Sequence, residues 1–146
     1  MGVIQAVGKG PVALDSSVFI YFIEEHPDFI ELLHPLFLAI EQGQLQAYTS
    51  ELTLLEILVV PYRLGRGDLA EQYETLLSGS RGFGLVPVNR PILLDAARIR
   101  ARHNLKTPDA IQVISAVAAH CSCLLTNNRD FGRIEVPRIL QLSDFI

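Results

Sequence analysis

The chain has 146 residues, 49% of them hydrophobic and 19% charged, with a formal net charge of −4. That length suits one domain with a full core, and the composition is globular rather than disordered. The acidic balance gives no global basic footprint for nucleic acid, and the longest apolar run, Val18 to Ile23, is far too short to span a bilayer. Lys9-Gly10-Pro11 breaks the start before a secretory apolar region can form. A soluble cytoplasmic protein without membrane contact is expected. Cys121 and Cys123, one residue apart, read as small buried hydrophobes, and the four scattered histidines have no zinc-like spacing.

In chain order, Val12-Ala13-Leu14 reads as a short buried strand, Asp15-Ser16-Ser17 as a polar turn, and the apolar segment up to Glu24-Glu25 as a helix. Pro27 to Gln42 has apolar residues near helical spacing and ends at Gly43. Gln46 to Thr49 is a second strand. Ser50 is expected to cap a helix through Leu64 that is buried on most sides and kinks or ends at Pro61, which cannot donate to the Ile57 carbonyl. Asp68 to Leu77 is a more polar helix with an Asp cap, and Gly79 to Gly84 a flexible loop. Phe83 to Val88 makes a third strand, and Pro91 opens a helix through Arg102. Thr107 is expected to cap the next helix, with Pro108 first inside it. Cys123 to Thr126 is a fourth strand, Asn127 to Gly132 a loop, and Arg138 to Leu142 a fifth strand. Strands alternating with helices imply a parallel sheet covered on both faces.

Four acids stand where a simple core or surface role fits poorly. Asp15 ends the first strand, Glu56 lies in an apolar helix, Asp109 starts a helix, and Asp130 follows the fourth strand. Each has a plain structural alternative: a helix cap for Asp15, a buried salt bridge or snorkelled chain for Glu56, a dipole-favoured first-turn acid for Asp109, an ordinary loop acid for Asp130. Their weight lies in convergence, because the carboxyl ends of parallel strands share one edge, where α/β sheets bind ligands. Carboxylates gathered without His or Cys repel one another and invite a hard cation, Mg²⁺ or Mn²⁺. Ser16, Ser17, Thr126, Asn127 and Asn128 supply hydroxyls and amides to orient such ligands.

Leu-Asp-Ser-Ser-Val-Phe, Thr-Ser-Glu-Leu-Thr-Leu-Leu-Glu, Leu-Lys-Thr-Pro-Asp-Ala-Ile-Gln and Leu-Leu-Thr-Asn-Asn-Arg-Asp-Phe occur in that order. Together they resemble the PIN domain family, and within it the VapC-type toxins of toxin–antitoxin pairs. The resemblance runs from Val12 to Leu142. It implies a single domain over residues 1–146 with a three-layer α/β/α fold around a parallel sheet of four to five strands. It also implies a metal-dependent endoribonuclease, a homodimer, and a cognate antitoxin laid over the active site. The family's metal-ligand acids fall on Asp15, Glu56 and Asp109, its early hydroxyl on Ser16 or Ser17, and its strand-ending Thr on Thr126. The fourth acid is split between two positions: Asn128 stands where many relatives have an acid, and Asp130 follows two residues later.

The expected reaction is hydrolysis of an RNA phosphodiester by a water that the metal activates, with Asp15, Glu56, Asp109 and Asp130 as ligands. No Lys or Arg occurs between Lys9 and Arg63, whereas arginines recur from Arg98 to Arg138. The run from Arg98 through Arg102 to Lys106 leads into Asp109, so Arg102 and Lys106 are expected to hold the RNA backbone, the alternative being a solvated helix face. An aspartyl phosphatase would need a second acid where Ser17 stands. A catalytically weak module that binds RNA or protein is the competing class, favoured by the amide at Asn128. The apolar helices from Asp28 to Glu41 and from Ser50 to Leu64 exceed what one small core needs, and are expected to meet a second copy or the antitoxin.

Overall fold

The strand segments are too short to be amphipathic over any length, so each works by alternation. In the computed structural model, which describes residues 2–79 and 82–146, Val12 and Leu14 of β1 (Val12–Leu14) face one helical layer and Ala13 the other. Cys123 and Leu125 of β4 (Cys123–Thr126) share the first layer, and Leu124 joins Ala13 in the second. A strand buried on both faces is what a parallel sheet with helices on each side demands.

The sheet has five parallel strands in the order β3-β2-β1-β4-β5, with β2 at Ala47–Ser50, β3 at Phe83–Val86 and β5 at Arg138–Gln141. One face is covered by α1 (Val3–Val7), α2 (Ser16–Ile23), α3 (Ile30–Glu41), α4 (Leu52–Arg63) and α5 (Gly67–Gly79). The other carries α6 (Arg90–His103) and α7 (Thr107–Ala118). This is the expected three-layer α/β/α arrangement. From β1 the chain runs outward to β2 and β3 and returns to β4 on the opposite side. The order therefore reverses between β1 and β4, and the crevice beyond their carboxyl ends is the topological switch point.

Several local expectations change. The helix α1 was not foreseen; Val3, Ala6 and Val7 lie on one face and are buried, which anchors five residues that could not stand as a free helix. Pro61 does not end α4, which runs on to Arg63: proline sits in the last turn and costs one hydrogen bond there. Nor is α4 buried on most sides. Thr53, Ile57 and Pro61 face inward, while Leu55, Val60, Tyr62 and Leu64 are half or more exposed. Lys106, not Thr107, holds the cap position of α7, and Thr107 and Pro108 are its first two residues. Asp68 lies just inside α5 and pairs with Arg66 instead of capping. Of the expected loop from Gly79 to Gly84, Ser80 and Arg81 lie outside the described residues. Gly84 is in β3, where an added Cβ would strike the Tyr48 ring of β2.

Candidate active site

Asp15 leaves β1 with its amide still bonded to the Leu125 carbonyl of β4, so its position is fixed by the sheet. Its side chain is also the N-cap of α2, accepting from the Ser16 amide at 2.7 Å through Oδ1. The capping role and the site role thus coexist: one oxygen is taken by the helix, and the other, Oδ2, accepts from the Thr126 hydroxyl at 2.7 Å. The hydroxyls of Ser16 and Ser17 stand at 3.4 and 3.5 Å from the same carboxylate. Thr126 in turn accepts from the Asn128 amide at 3.0 Å. The Asn128 side-chain amide nitrogen lies 3.4 and 3.5 Å from the two oxygens of Asp109. Four residues from β1, β4, the following loop and α7 are linked in one path, Asp15–Thr126–Asn128–Asp109.

A second path reaches Glu56. The Leu14 carbonyl can only accept, so the Thr49 hydroxyl, 2.7 Å away, must donate to it. Thr49 has then spent its proton, and the 2.7 Å contact between Thr49 and Thr53 must run from Thr53. Thr53 is left as an acceptor, which forces the Gln112 side chain to present Nε2 at 2.8 Å. The other N–H of the same amide donates to Glu56 Oε1 at 3.2 Å. The proton order is therefore determined throughout, from Glu56 on α4 through Gln112 on α7 to the backbone residue preceding Asp15. Thr49, Thr53 and Gln112 are almost wholly buried. Sequence reading missed all three. Gln112 was marked only by being polar on an otherwise apolar helix, three residues after Asp109, and the threonines looked like ordinary strand and helix residues.

Asp15, Glu56 and Asp109 lie within electrostatic reach of one another. Burial raises the Glu56 carboxyl above its usual range, and the charges of Asp15 and Asp109 raise it further, against the lowering effect of the Gln112 bond. Asp109 is raised first by burial, then by Asp15 and Asp130, with Lys106 and Asn128 opposing. Asp130 stands apart. Its side chain is 56% exposed and pairs with Lys106 at 3.7 Å, so it lies at the rim, where Asp109 still feels its charge. Its backbone amide donates to the Asn128 side-chain oxygen at 2.9 Å, which fixes the amide face that Asn128 turns to Asp109. Arg102 lies outside this cluster, in a groove beside α6 and α7.

Among the described residues no three acidic, His or Cys side chains close into a ready-made metal cage. Each central carboxylate is instead hydrogen-bonded to a neutral donor. The donor set is oxygen-only and uncompensated, which fits a hard cation that keeps most of its own waters and needs only one or two carboxylates directly. These carboxylates gather at the switch point of a parallel α/β/α sheet, where folds of this class place their ligands.

A family model described as PIN domain matches residues 12–137. The chain belongs to the PIN domain family. PIN domains are generally nucleases and typically use divalent metals. Among curated protein sequences none matches the chain. Among solved structures, it is similar to a toxin–antitoxin complex from Klebsiella pneumoniae, at 17% identity over 90% of this chain and 97% of that one, with a TM-score of 0.66. It is also similar to VapBC2 from Rickettsia felis bound to a promoter DNA fragment (19% identity, 89% and 97% covered, TM-score 0.63). A DNA-bound VapBC from Salmonella typhimurium gives 20% identity, 90% and 97% covered, and a TM-score of 0.62. At these identities the likeness is one of fold.

Proposed function

We propose that the protein is a Mg²⁺- or Mn²⁺-dependent endoribonuclease and the toxin of a type II toxin–antitoxin pair. The observation that carries this reading is that Asp15, Glu56 and Asp109 lie within electrostatic reach of one another while none of them forms an ion pair within 4 Å among the described residues. Asp15 and Asp109 would hold the ion, and Glu56 would hold a water against it. When bound, the ion supplies neutralisation of charge on the phosphoryl group and a lowered pKa for a bound water.

The protein's own part is orientation. Thr126 turns Asp15 through Oδ2, Asn128 turns Asp109, and Gln112 turns Glu56, so the lone pairs facing the crevice are set before substrate arrives. The Gln112 N–H on Oε1 also favours the ionised Glu56, which can then accept a proton from an attacking water. Asp130 completes the shell from the rim. Attack by water leaves a 3′-hydroxyl and a 5′-phosphate, and recovery of 2′,3′-cyclic phosphate ends would refute the mechanism.

A partner is supported by the exposed large hydrophobics of α4, with Leu55, Val59 and Tyr62 near one helical face and Val60 and Leu64 beside it, since clustered exposed apolar residues mark interaction surfaces. Two kinds of chain would cover them, a second copy or a cognate antitoxin, and the solved structures of toxin–antitoxin complexes with this fold support the latter. The deciding experiment is cleavage of a structured RNA with Mn²⁺ or Mg²⁺, comparing wild type, Asp15→Asn and wild type with EDTA. Cleavage that needs metal and vanishes in the variant is expected; metal-independent cutting, or equal cutting by Asp15→Asn, overturns the reading. Light scattering on the protein alone and with its partner tests the assembly.

A further inference from the structure

Two cavities run from the rim of the acidic crevice down the flank formed by α6, α7 and the segment leading into β5. The first, about 400 Å³, is lined by Lys106, Asp130, Arg129, His103 and Arg133 among others. The second, about 560 Å³, shares His103 and Arg133 with the first and continues along Arg102. Its floor is apolar, with Ile99, Ile114, Val117 and Val136, and the last two of these are exposed large hydrophobics.

Most cations on this flank are already engaged. Arg98 pairs with Asp95 at 2.7 Å, Arg129 with Asp144 at 3.0 Å, Lys106 with Asp130 at 3.7 Å, and Arg100 donates to the Leu105 carbonyl at 2.7 Å. Arg102 and Arg133 have no ion-pair partner among the described residues, and both line the larger of these two cavities. Arg102 and Arg133, free of ion pairs in a cavity that Glu135 and the Arg98-paired Asp95 also line, stand beside an apolar floor and suit a phosphate with an unstacked base next to it. A duplex keeps its base faces stacked and could use only the guanidiniums.

We propose that a single-stranded RNA runs from the acidic crevice along this groove, with a phosphate held by Arg102 and Arg133 and a base laid on the floor made by Ile99, Ile114 and Val136. This rests on the nuclease reading for its direction, since the groove opens at Asp130 and Lys106 and so feeds the carboxylates. Arg102 then acts away from the reacting phosphate, and Arg133 joins it although sequence reading had passed it over. Lys106, held by Asp130, marks where the strand enters the crevice.

The test is fluorescence anisotropy in EDTA with a labelled single-stranded RNA of about ten nucleotides, within the range of known single-strand sites. Wild type is compared with Arg102→Ala/Arg133→Ala and with Arg63→Ala, which removes a like charge from α4 and lines neither cavity. The double variant is expected to bind about tenfold more weakly and to lower the slope of log K against log salt by about 0.7, the change for the one phosphate charge that the protein no longer neutralises. An unchanged slope, an equal loss in Arg63→Ala, no RNA binding by wild type, or equal competition by a polyglutamate peptide overturns the proposal. Cleavage in Mn²⁺ is scored separately. Wild type that binds through the two arginines but cuts nothing keeps the groove and removes the nuclease reading; wild type that cuts as well without them does the reverse.

Discussion

Two sets of acids in this protein are treated in opposite ways. At the surface, Asp68, Asp95, Asp130 and Asp144 each sit within 4 Å of an arginine or lysine, all in exposed pairs. In the crevice, Asp15, Glu56 and Asp109 are more buried, where an unpaired charge costs most, yet their partners are Thr126, Gln112 and Asn128, all neutral. Exposed ion pairs contribute only about 0–1 kcal/mol each, so the surface pairs matter little to the fold. The crevice is different: neutral donors fix the direction of each carboxylate and leave its charge available. Burial without compensation is unfavourable for stability and is the condition for holding a cation.

The largest effect follows from removing a central charge. Asp15→Asn keeps an oxygen for the Ser16 amide and turns an N–H toward Thr126, whose hydroxyl can accept there instead of donating, so the fold should survive. Cleavage should fall by about 10²–10³-fold, the scale of losing one preorganised electrostatic group. Asp68→Asn, whose ion pair with Arg66 lies on the other helical layer, should leave the rate within a factor of two or so, as a surface pair predicts. Comparable losses from both substitutions would erase the distinction between the two sets.

Next in size is the tether. Gln112→Met keeps length and removes both N–H donors, so Glu56 is free to turn and Thr53 loses its only donor. Mn²⁺ affinity or rate should drop by about 10–100-fold, as for other residues that hold a metal ligand. A calorimetric titration with Mn²⁺ checks it without relying on turnover. An unchanged affinity together with an unchanged rate would mean that the path from Leu14 to Glu56 only supports the fold. Asp130→Asn should do less, about tenfold at most by the same scale, because Asp130 lies at the rim and already faces Lys106. An effect as large as that of Asp15→Asn would make it a direct ligand.

The succession of strands and helices along the chain, the parallel sheet it implies and the acids at strand ends were legible because each depends on short-range pattern: apolar runs of strand length, turn residues, and an acid where a strand stops. What could not be read was set by tertiary placement. Glu56 looked like an acid inside a buried helix, but α4 buries only a stripe through Thr53 and Ile57, and its outer face is apolar for reasons no period of 3.6 distinguishes from a core. The threonine and glutamine path joins residues 35 and 59 positions apart, and no local signal links them. Asn128 was expected to orient the acids or to stand in for a fourth one; in the fold its backbone amide donates to Thr126 and its side-chain amide faces Asp109, a link that an amide makes and a carboxylate would not.

The smallest expected effect is the most direct test of stored charge. Burial and the neighbouring carboxylates raise the folded-state pKa of Asp109, so the folded protein holds that proton more tightly than the unfolded chain does. The associated stability is present below the unfolded carboxylate range near 4, and is lost as pH rises through the folded value. At pH 7 the ionised Asp109 therefore works against the metal-free fold. The dipole of α7 favours the same charge by about 0.3–1 kcal/mol and so works against this effect. Asp109→Asn should melt about 2–4 °C above wild type in EDTA at pH 7, the response of a domain this size to roughly 1 kcal/mol. The gap should close as the pH approaches 4. With Mn²⁺ the order should invert, because an ion at about a hundred times its dissociation constant adds roughly 2.7 kcal/mol to the protein that binds it. A variant that melts lower than wild type in EDTA would mean that Asp109 is structural, a first-turn acid favoured by its helix, and that the crevice stores no charge there.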